Sequence, residues 1–155
     1  MGFGALSVKG RALRYLAQRE HSRLELERKL ARHVQDSEAA SAATQIATAL
    51  DQLTAAGLLS EARVAEAVLL HQGRRFGARR LKQVLQAKGL DADLVTSTLQ
   101  QARGTELERA RAVWARRFGT APADAKQAIQ QMRFMAGRGF DSEVIRRIVQ
   151  GREDD

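Results

Sequence analysis

Two blocks of this sequence occur twice, in the same order. Arg74-Arg75-Phe76-Gly77 returns unchanged as Arg116-Arg117-Phe118-Gly119. Lys88-Gly89-Leu90-Asp91-Ala92-Asp93-Leu94-Val95 returns as Arg138-Gly139-Phe140-Asp141-Ser142-Glu143-Val144-Ile145. The shared pattern is basic, Gly, large apolar, Asp, variable, acidic, apolar, apolar. The first third fits more loosely. Placing Ser22 on Gly77 puts Leu26 on Leu81 and Leu30 on Leu85, and Gly57-Leu58 closes its last helix. The chain therefore reads as three copies of a unit of about 45–50 residues, within the range of helical repeats. A unit that short cannot bury much of its own surface, since chains near 60 residues bury only about 60%. Stacked units share a core along a line, which predicts an extended, curved molecule with a concave binding face. The alternative is a compact bundle with chance recurrences. A four-residue identity and an eight-position pattern in one order argue against it.

The unit is helical. Apolar residues recur at i, i+3, i+4 and i+7 in Leu13-Leu16-Ala17, in Leu26-Leu30-Val34 and in Ile46-Ala49-Leu50-Leu53. No alternation long enough for a strand occurs. Aromatics are 5% of the 155 residues and there is one proline, while the strong helix formers Ala, Leu, Arg and Gln are abundant. Nine helices are predicted, near 9–20, 22–34, 38–56, 60–73, 78–88, 91–102, 105–117, 122–137 and 141–150. Ser22 with Glu25 and Thr105 with Glu108 have the capping-box spacing. Asp91 and Asp141 are placed as N-caps. Gly57, Gly89 and Gly139 stand where left-handed residues end helices. Pro122 suits a first helical turn, where its missing amide is not needed. Grouped by threes, these give an N-terminal tail (1–8), three-helix repeats at 9–57, 58–104 and 105–151, and an acidic tail (152–155).

The residues that would carry catalysis are missing. With no cysteine there is no disulfide, zinc–thiolate site, iron–sulfur cluster or thiol nucleophile. The three histidines, His21, His33 and His71, form no HExxH pattern and no nucleophilic triad, and no phosphate-binding loop is present. Gly137-Arg138-Gly139 is explained by helix capping. The reading is a protein without catalytic residues, cofactor or metal. No apolar run is long enough to span a membrane, and residues 1–8 do not make a secretory signal, so a cytoplasmic location is expected.

Charge points to the partner. Lys and Arg number 26 against 18 Asp and Glu, a formal net charge of +8. The excess is uneven. Between Glu66 and Asp91 no acidic residue interrupts Arg74, Arg75, Arg79, Arg80, Lys82 and Lys88. Arg109, Arg111, Arg116 and Arg117 follow between Glu108 and Asp124, and Lys126, Arg133 and Arg138 before Asp141. Ordinary surfaces mix signs, so these runs suggest a polyanionic partner. Each Arg-Arg pair precedes a Gly at a helix–helix turn, a natural seat for phosphate or carboxylate. Phe76 and Phe118 are expected to anchor those turns in the core. The chain has no Asn, and no sequence-reading helix stands out, so backbone contact is expected over base readout.

Several of these stretches resemble the bacterial RecX family. They are Ala12-Leu13-Arg14-Tyr15-Leu16-Ala17, Ser22…Leu26…Lys29-Leu30, and Leu53…Gly57-Leu58-Leu59-Ser60-Glu61-Ala62-Arg63. Arg75-Phe76-Gly77…Arg80-Leu81 and Arg133-Phe134-Met135…Arg138-Gly139-Phe140…Val144-Ile145-Arg146 continue the match. The likeness runs over about residues 9–150, and the order and spacing carry it more than any one motif. Leu58 and Val64 stand where the family usually has aromatics, and Met135 where it usually has Leu.

The resemblance implies an all-α protein of three tandem three-helix repeats in an elongated, curved arrangement. It implies a negative regulator of the RecA recombinase in homologous recombination, DNA repair and the SOS response. Such a protein would lodge in the groove of the RecA filament on single-stranded DNA. It would inhibit ATP hydrolysis and strand exchange and limit filament growth. On this reading the chain acts as a monomer, and Arg74, Arg75, Arg79, Arg80, Lys82, Lys88, Arg116 and Arg117 contact phosphates or acidic filament surface. Two rivals stand beside it. A general nucleic-acid binder using six cations on single-strand phosphates would show a log K against log salt slope of about −4. A scaffold for an unrelated partner would bind neither DNA nor RecA.

Overall fold

The computed structural model describes residues 6–151. Among them the chain forms nine helices and no strand. They are α1 (Val8–Gln18), α2 (Arg23–Ala31), α3 (Ala42–Ala55), α4 (Glu61–Gln72), α5 (Ala78–Ala87), α6 (Ala92–Gly104), α7 (Glu106–Arg117), α8 (Ala125–Gly137) and α9 (Ser142–Val149). The expected acidic tail and most of the expected N-terminal tail lie outside the described residues; α1 already includes Val8. The helices form two compact units. One holds the chain up to Val64 together with Lys88–Leu90, and the other holds Ala65–Ala87 and the chain from Asp91 onward.

The first unit closes over Ala12, Leu26, Leu30, Ile46, Leu50, Leu53 and Leu59, with Val8, Tyr15, Leu16 and Val34 packed against them. The stripes expected on α2 and α3 are the buried ones. The stripe expected on α1 is not. Leu13 is 37% exposed and Ala17 is exposed, while Ala12 is fully buried. The buried face is Val8-Ala12-Tyr15-Leu16, because a small residue at the centre lets α1 and α3 approach closely. Helix α3 also starts later than expected. Ser41 Oγ accepts from the Thr44 amide at 3.2 Å, and Asp36 Oδ1 accepts from the Ala42 amide at 2.6 Å. These bonds hold the residues before Ala42 in a turn.

The second unit has its main core on α7 to α9: Ala110, Val113, Met135, Phe140, Ile145, Ile148 and Val149. Leu81, Leu85, Val95 and Leu99 are buried on α5 and α6. Gln131 is 6% exposed, and its amide is fully used. Its oxygen accepts from Trp114 Nε1 at 2.9 Å, and its nitrogen donates to Thr120 O at 3.0 Å.

The caps divide into those made locally and those made at a distance. Ser22 and Glu25 form the expected capping box, and Asp91 and Asp141 cap α6 and α9. Gly57, Gly89 and Gly139 have φ of 74°, 72° and 85°, as left-handed ends require. Two expectations fail. Thr105 makes no side-chain cap for α7. Its hydroxyl donates to Ala102 O and accepts from Arg109 Nε, which leaves nothing for the helix start. Pro122 lies before α8, not in its first turn. Asp124 is the cap, accepting from the Gln127 amide at 2.8 Å, while Gln127 accepts from the Ala123 amide at 2.9 Å. Two helix starts are capped by a carboxylate far along the chain. Glu61 Oε1 accepts from the Arg23 amide at 2.9 Å, and buried Glu106 Oε1 accepts from the Ala78 amide at 2.6 Å. In both cases the acid is the first residue of a later helix. It satisfies a free amide and places negative charge at the positive end of the helix dipole.

One inter-helix junction also recurs. The Lys88-Gly89-Leu90 turn sits on the start of α2, where a Cβ on Gly89 would come within 3.0 Å of the Leu24 side chain. The Arg138-Gly139-Phe140 turn sits on the start of α5. There the Gly77 amide donates to Arg138 O at 2.9 Å and the Arg79 amide to Gly139 O at 3.2 Å. A Cβ on Gly77 would overlap Gly139 O and lie 2.5 Å from the Phe140 backbone. Gly77→Ala should therefore cost roughly 2–3 kcal/mol through overpacking against backbone. Gly57→Ala, in open space, should cost only the left-handed penalty of about 1 kcal/mol. Urea unfolding of both variants would measure the difference.

The first junction is acid-sensitive. Burial pushes the Glu25 carboxyl up, but hydrogen bonds from Arg19, Lys88 and the Ser22 amide outweigh it and bring its pKa to about 2 from an ordinary 4.5. His21, fully buried, shares Nδ1 with Arg19 O and Nε2 with Lys29 Nζ. Burial and the nearby cations lower its pKa below 6.5. The unfolded chain thus binds more protons than the native one in both windows. Stability should fall below pH 6.5 as His21 is forced to charge, and again from pH 4.5 towards 2 as Glu25 is protonated. Glu25→Gln should remove the lower step and cost about 3 kcal/mol at neutral pH. Denaturant midpoints across pH would show both effects.

Candidate functional site

The two Arg-Arg-Phe-Gly copies come together in the second unit. Each follows the end of a helix, α4 in one case and α7 in the other, and each exposes its arginines at the turn. Arg116 Nη2 donates to Arg74 O at 2.9 Å, which ties one copy to the other. Between them lies a cleft of about 280 Å³ lined by Arg75, Val113, Arg116, Arg117, Phe134 and Arg138. None of these side chains is acidic. None of the four arginines has a carboxylate partner among the described residues.

The guanidiniums are held by aromatic faces. Arg138 lies 5.6 Å from the Phe76 ring centre and 5.1 Å from that of Phe134. Arg117 lies 5.2 Å from Phe134 and 5.4 Å from Phe118. Arg75 and Arg80 stand over Phe76 at 5.2 and 5.0 Å. Phe118 meets Phe134 edge to face at 5.4 Å. The rings and cations alternate as Phe76, Arg138, Phe134, Arg117, Phe118. Stacking occupies the faces of the guanidiniums and leaves their in-plane N–H forks available to an anion. Phe76 and Phe118 are therefore half-buried supports for cations, not the core anchors expected from their place in the repeat.

Arg109 fixes the turn beneath. Its Nη1 donates to Gly73 O at 2.8 Å and Phe76 O at 2.6 Å, its Nη2 to Ala102 O at 2.6 Å and its Nε to Thr105 Oγ1 at 3.0 Å. Burial lowers its pKa from the usual arginine value, opposed by the charge of Glu106. A lysine could not span these acceptors. Arg109→Lys should cost about 2–3 kcal/mol, the range for hydrogen bonds to a charged group, and speed amide exchange at Phe76, with helix content retained by circular dichroism.

The residues singled out by charge separate into groups. Arg75, Arg116 and Arg117 line the cleft, Arg80 shares its aromatic support, and Arg74 supplies the carbonyl that Arg116 holds. Arg79 and Lys82 are exposed on α5 and are not among the lining residues. Lys88 belongs to the first unit, where it pairs with Glu25 at 2.8 Å and its side chain is only 19% exposed. Phe134 and Arg138 complete the cleft and were not singled out for it. Arg138 was read only as the basic residue before a capping Gly. The signal was its equivalence with Lys88, since one copy has its acid nearby at Glu25 while the matching position in the other copy is Arg80.

A larger cleft in the first unit, about 550 Å³, is lined by Arg23, Thr54, Gly57, Leu59, Ser60, Glu61 and Arg63. Its cations are already neutralised, Arg23 by Asp51 and Glu27 and Arg63 by Glu20. Among the described residues no group of His, Cys, Asp or Glu is placed to hold a metal ion, and no helix is long and apolar enough to cross a membrane.

Comparison with known proteins agrees along nearly the whole chain. Residues 9–44 match the family description "RecX, first three-helix domain", and residues 105–149 match "RecX, third three-helix domain". The "Regulatory protein RecX" of Leptothrix cholodnii is 51% identical over 93% of this chain and 88% of its own length. That of Ralstonia nicotianae is 44% identical over 94% of this chain and 88% of its own. The crystal structure of RecX from Lactobacillus salivarius superposes with a TM-score of 0.73 at 20% identity and 93% coverage of both chains, a likeness of fold. With identity this high over nearly the full length, the chain belongs to the RecX family of regulatory proteins.

Proposed function

We propose that this protein is a negative regulator of the RecA recombinase that acts by binding, without chemistry of its own. It lodges in the groove of the RecA filament on single-stranded DNA, as a monomer in the cytoplasm, and opposes ATP hydrolysis, strand exchange and filament growth. Its three-helix repeats are 9–57, 58–104 and 105–151. Family membership supports the regulatory role. One observation carries the mode of action: both Arg-Arg-Phe-Gly copies converge on a single cationic cleft that no carboxylate neutralises. Such a cleft is suited to a polyanion, and a filament on DNA presents phosphate and acidic protein surface side by side. Arg74, Arg75, Arg79, Arg80, Lys82, Arg116 and Arg117 make the contact, with Lys88 contributing only where its pair with Glu25 opens. Holding neighbouring protomers in one arrangement slows turnover only to the extent that the protein binds that arrangement better than the others.

The test is ATP hydrolysis by preformed RecA filaments on single-stranded DNA. Inhibition is expected at less than one molecule per protomer. Arg74→Ala with Arg75→Ala should raise the half-inhibitory concentration roughly tenfold, the loss of one charge-assisted contact. No inhibition at equimolar protein would overturn the RecA assignment.

A further inference from the structure

We propose that the cleft between the two Arg-Arg-Phe-Gly turns is a seat for the phosphodiester backbone of a single nucleic-acid strand. This deepens the reading above and rests on it for the cleft's place in the protein's action, but its test needs no RecA.

The two junctions of the fold make the argument. They share a geometry, a basic-Gly-apolar turn set on the start of a helix, but differ in charge. At the first, Lys88 is neutralised by Glu25, whose carboxylate also takes Arg19. At the second, the residue in the place of Glu25 is Arg80, and the residue in the place of Lys88 is Arg138. Both stack on Phe76, with no carboxylate partner among the described residues. A junction needed only for folding is served by the first solution. The second gathers like charges, which is unfavourable until an anion arrives. Phe134 sets Arg117 on one contact and Arg138 on another, so the cations are ordered before the ligand binds and little side-chain entropy is lost on binding.

Shape favours a strand. The cleft, about 280 Å³, is just below the usual small-ligand pocket of roughly 300 Å³ and upward. It has room for a phosphate with its sugar, and no room for the face of a duplex. A flexible single strand can dip one phosphate into it while its bases stack on guanidinium planes or ring edges at the rim. Carboxylates fixed on a folded protein surface cannot enter in the same way. No side chain in the lining is placed to read a base, so binding should be indifferent to sequence.

The experiment is fluorescence anisotropy of a labelled oligothymidylate with the full chain across a salt series. Arg117→Gln with Arg138→Gln should weaken binding roughly a hundredfold at low salt. It should also flatten the log K against log salt slope by about 1.4, at 0.7 per single-strand phosphate contact. Arg103→Gln with Arg111→Gln, which removes the same charge from exposed sites outside the cleft lining, should change affinity by less than about threefold. If the double cleft variant loses helix content, Arg116→Gln replaces it, with roughly a tenfold loss expected. Unlabelled duplex and polyglutamate should compete at least about tenfold more weakly than unlabelled single strand. Equal losses in the cleft and control variants would overturn the proposal in favour of net charge alone. Equal competition by duplex would overturn the single-strand assignment, and equal competition by polyglutamate would assign the cleft to acidic protein. Loss of RecA inhibition with intact oligothymidylate binding would overturn the regulatory reading and leave this one standing.

Discussion

The second unit depends on a close approach of backbone to backbone where Gly77 meets the Arg138-Gly139-Phe140 turn. Two hydrogen bonds join the strand of chain entering α5 to that turn, and no side chain fits between them. Glycine is required on one side for space and on the other for φ of 85°. Everything at the cleft follows from this contact. It places Arg138 beside Phe76, and Arg138 in turn meets Phe134, so the second half of the repeat reaches the first Arg-Arg-Phe-Gly copy. Arg116, bonded to Arg74 O, brings in the other copy.

Charge is then set by what the junction lacks. The same architecture at Lys88 and Glu25 is a neutral, half-buried ion pair with a strongly acidic carboxyl. Replacing acid by Arg80 turns an internal contact into an unneutralised cationic surface. Stability there comes from cation–π stacking and from Arg109 bonded to three carbonyls, not from opposite charges. The cleft is built to hold cations together without neutralising them, which suits a protein that works by binding.

Much of this was legible along the chain. Helix positions, the local caps at Ser22, Asp91 and Asp141, and the left-handed glycines depend on residues three or four apart, and periodicity and spacing report them. The misreadings share one cause. Thr105 has the right spacing for a capping box, but Arg109 and Ala102 take its hydroxyl. Leu13 fits a helical stripe, yet α3 packs on Ala12, and size at the contact decides over hydrophobicity. Phe76 and Phe118 look like core residues until cations from elsewhere cover their faces.

By itself the sequence determined an all-helical repeat, the two motif copies and an excess of positive charge in the second and third copies, because each is a property of neighbours or of composition. Only the tertiary structure decided that Glu61 caps a helix 38 residues earlier and Glu106 one 28 residues earlier. It alone decided that Lys88 is neutralised while Arg138 is not, and that Phe134 is the ring on which both arginine motifs converge. Such contacts join groups far apart in the chain. Their strength depends on distance and burial, quantities that spacing along a sequence does not contain.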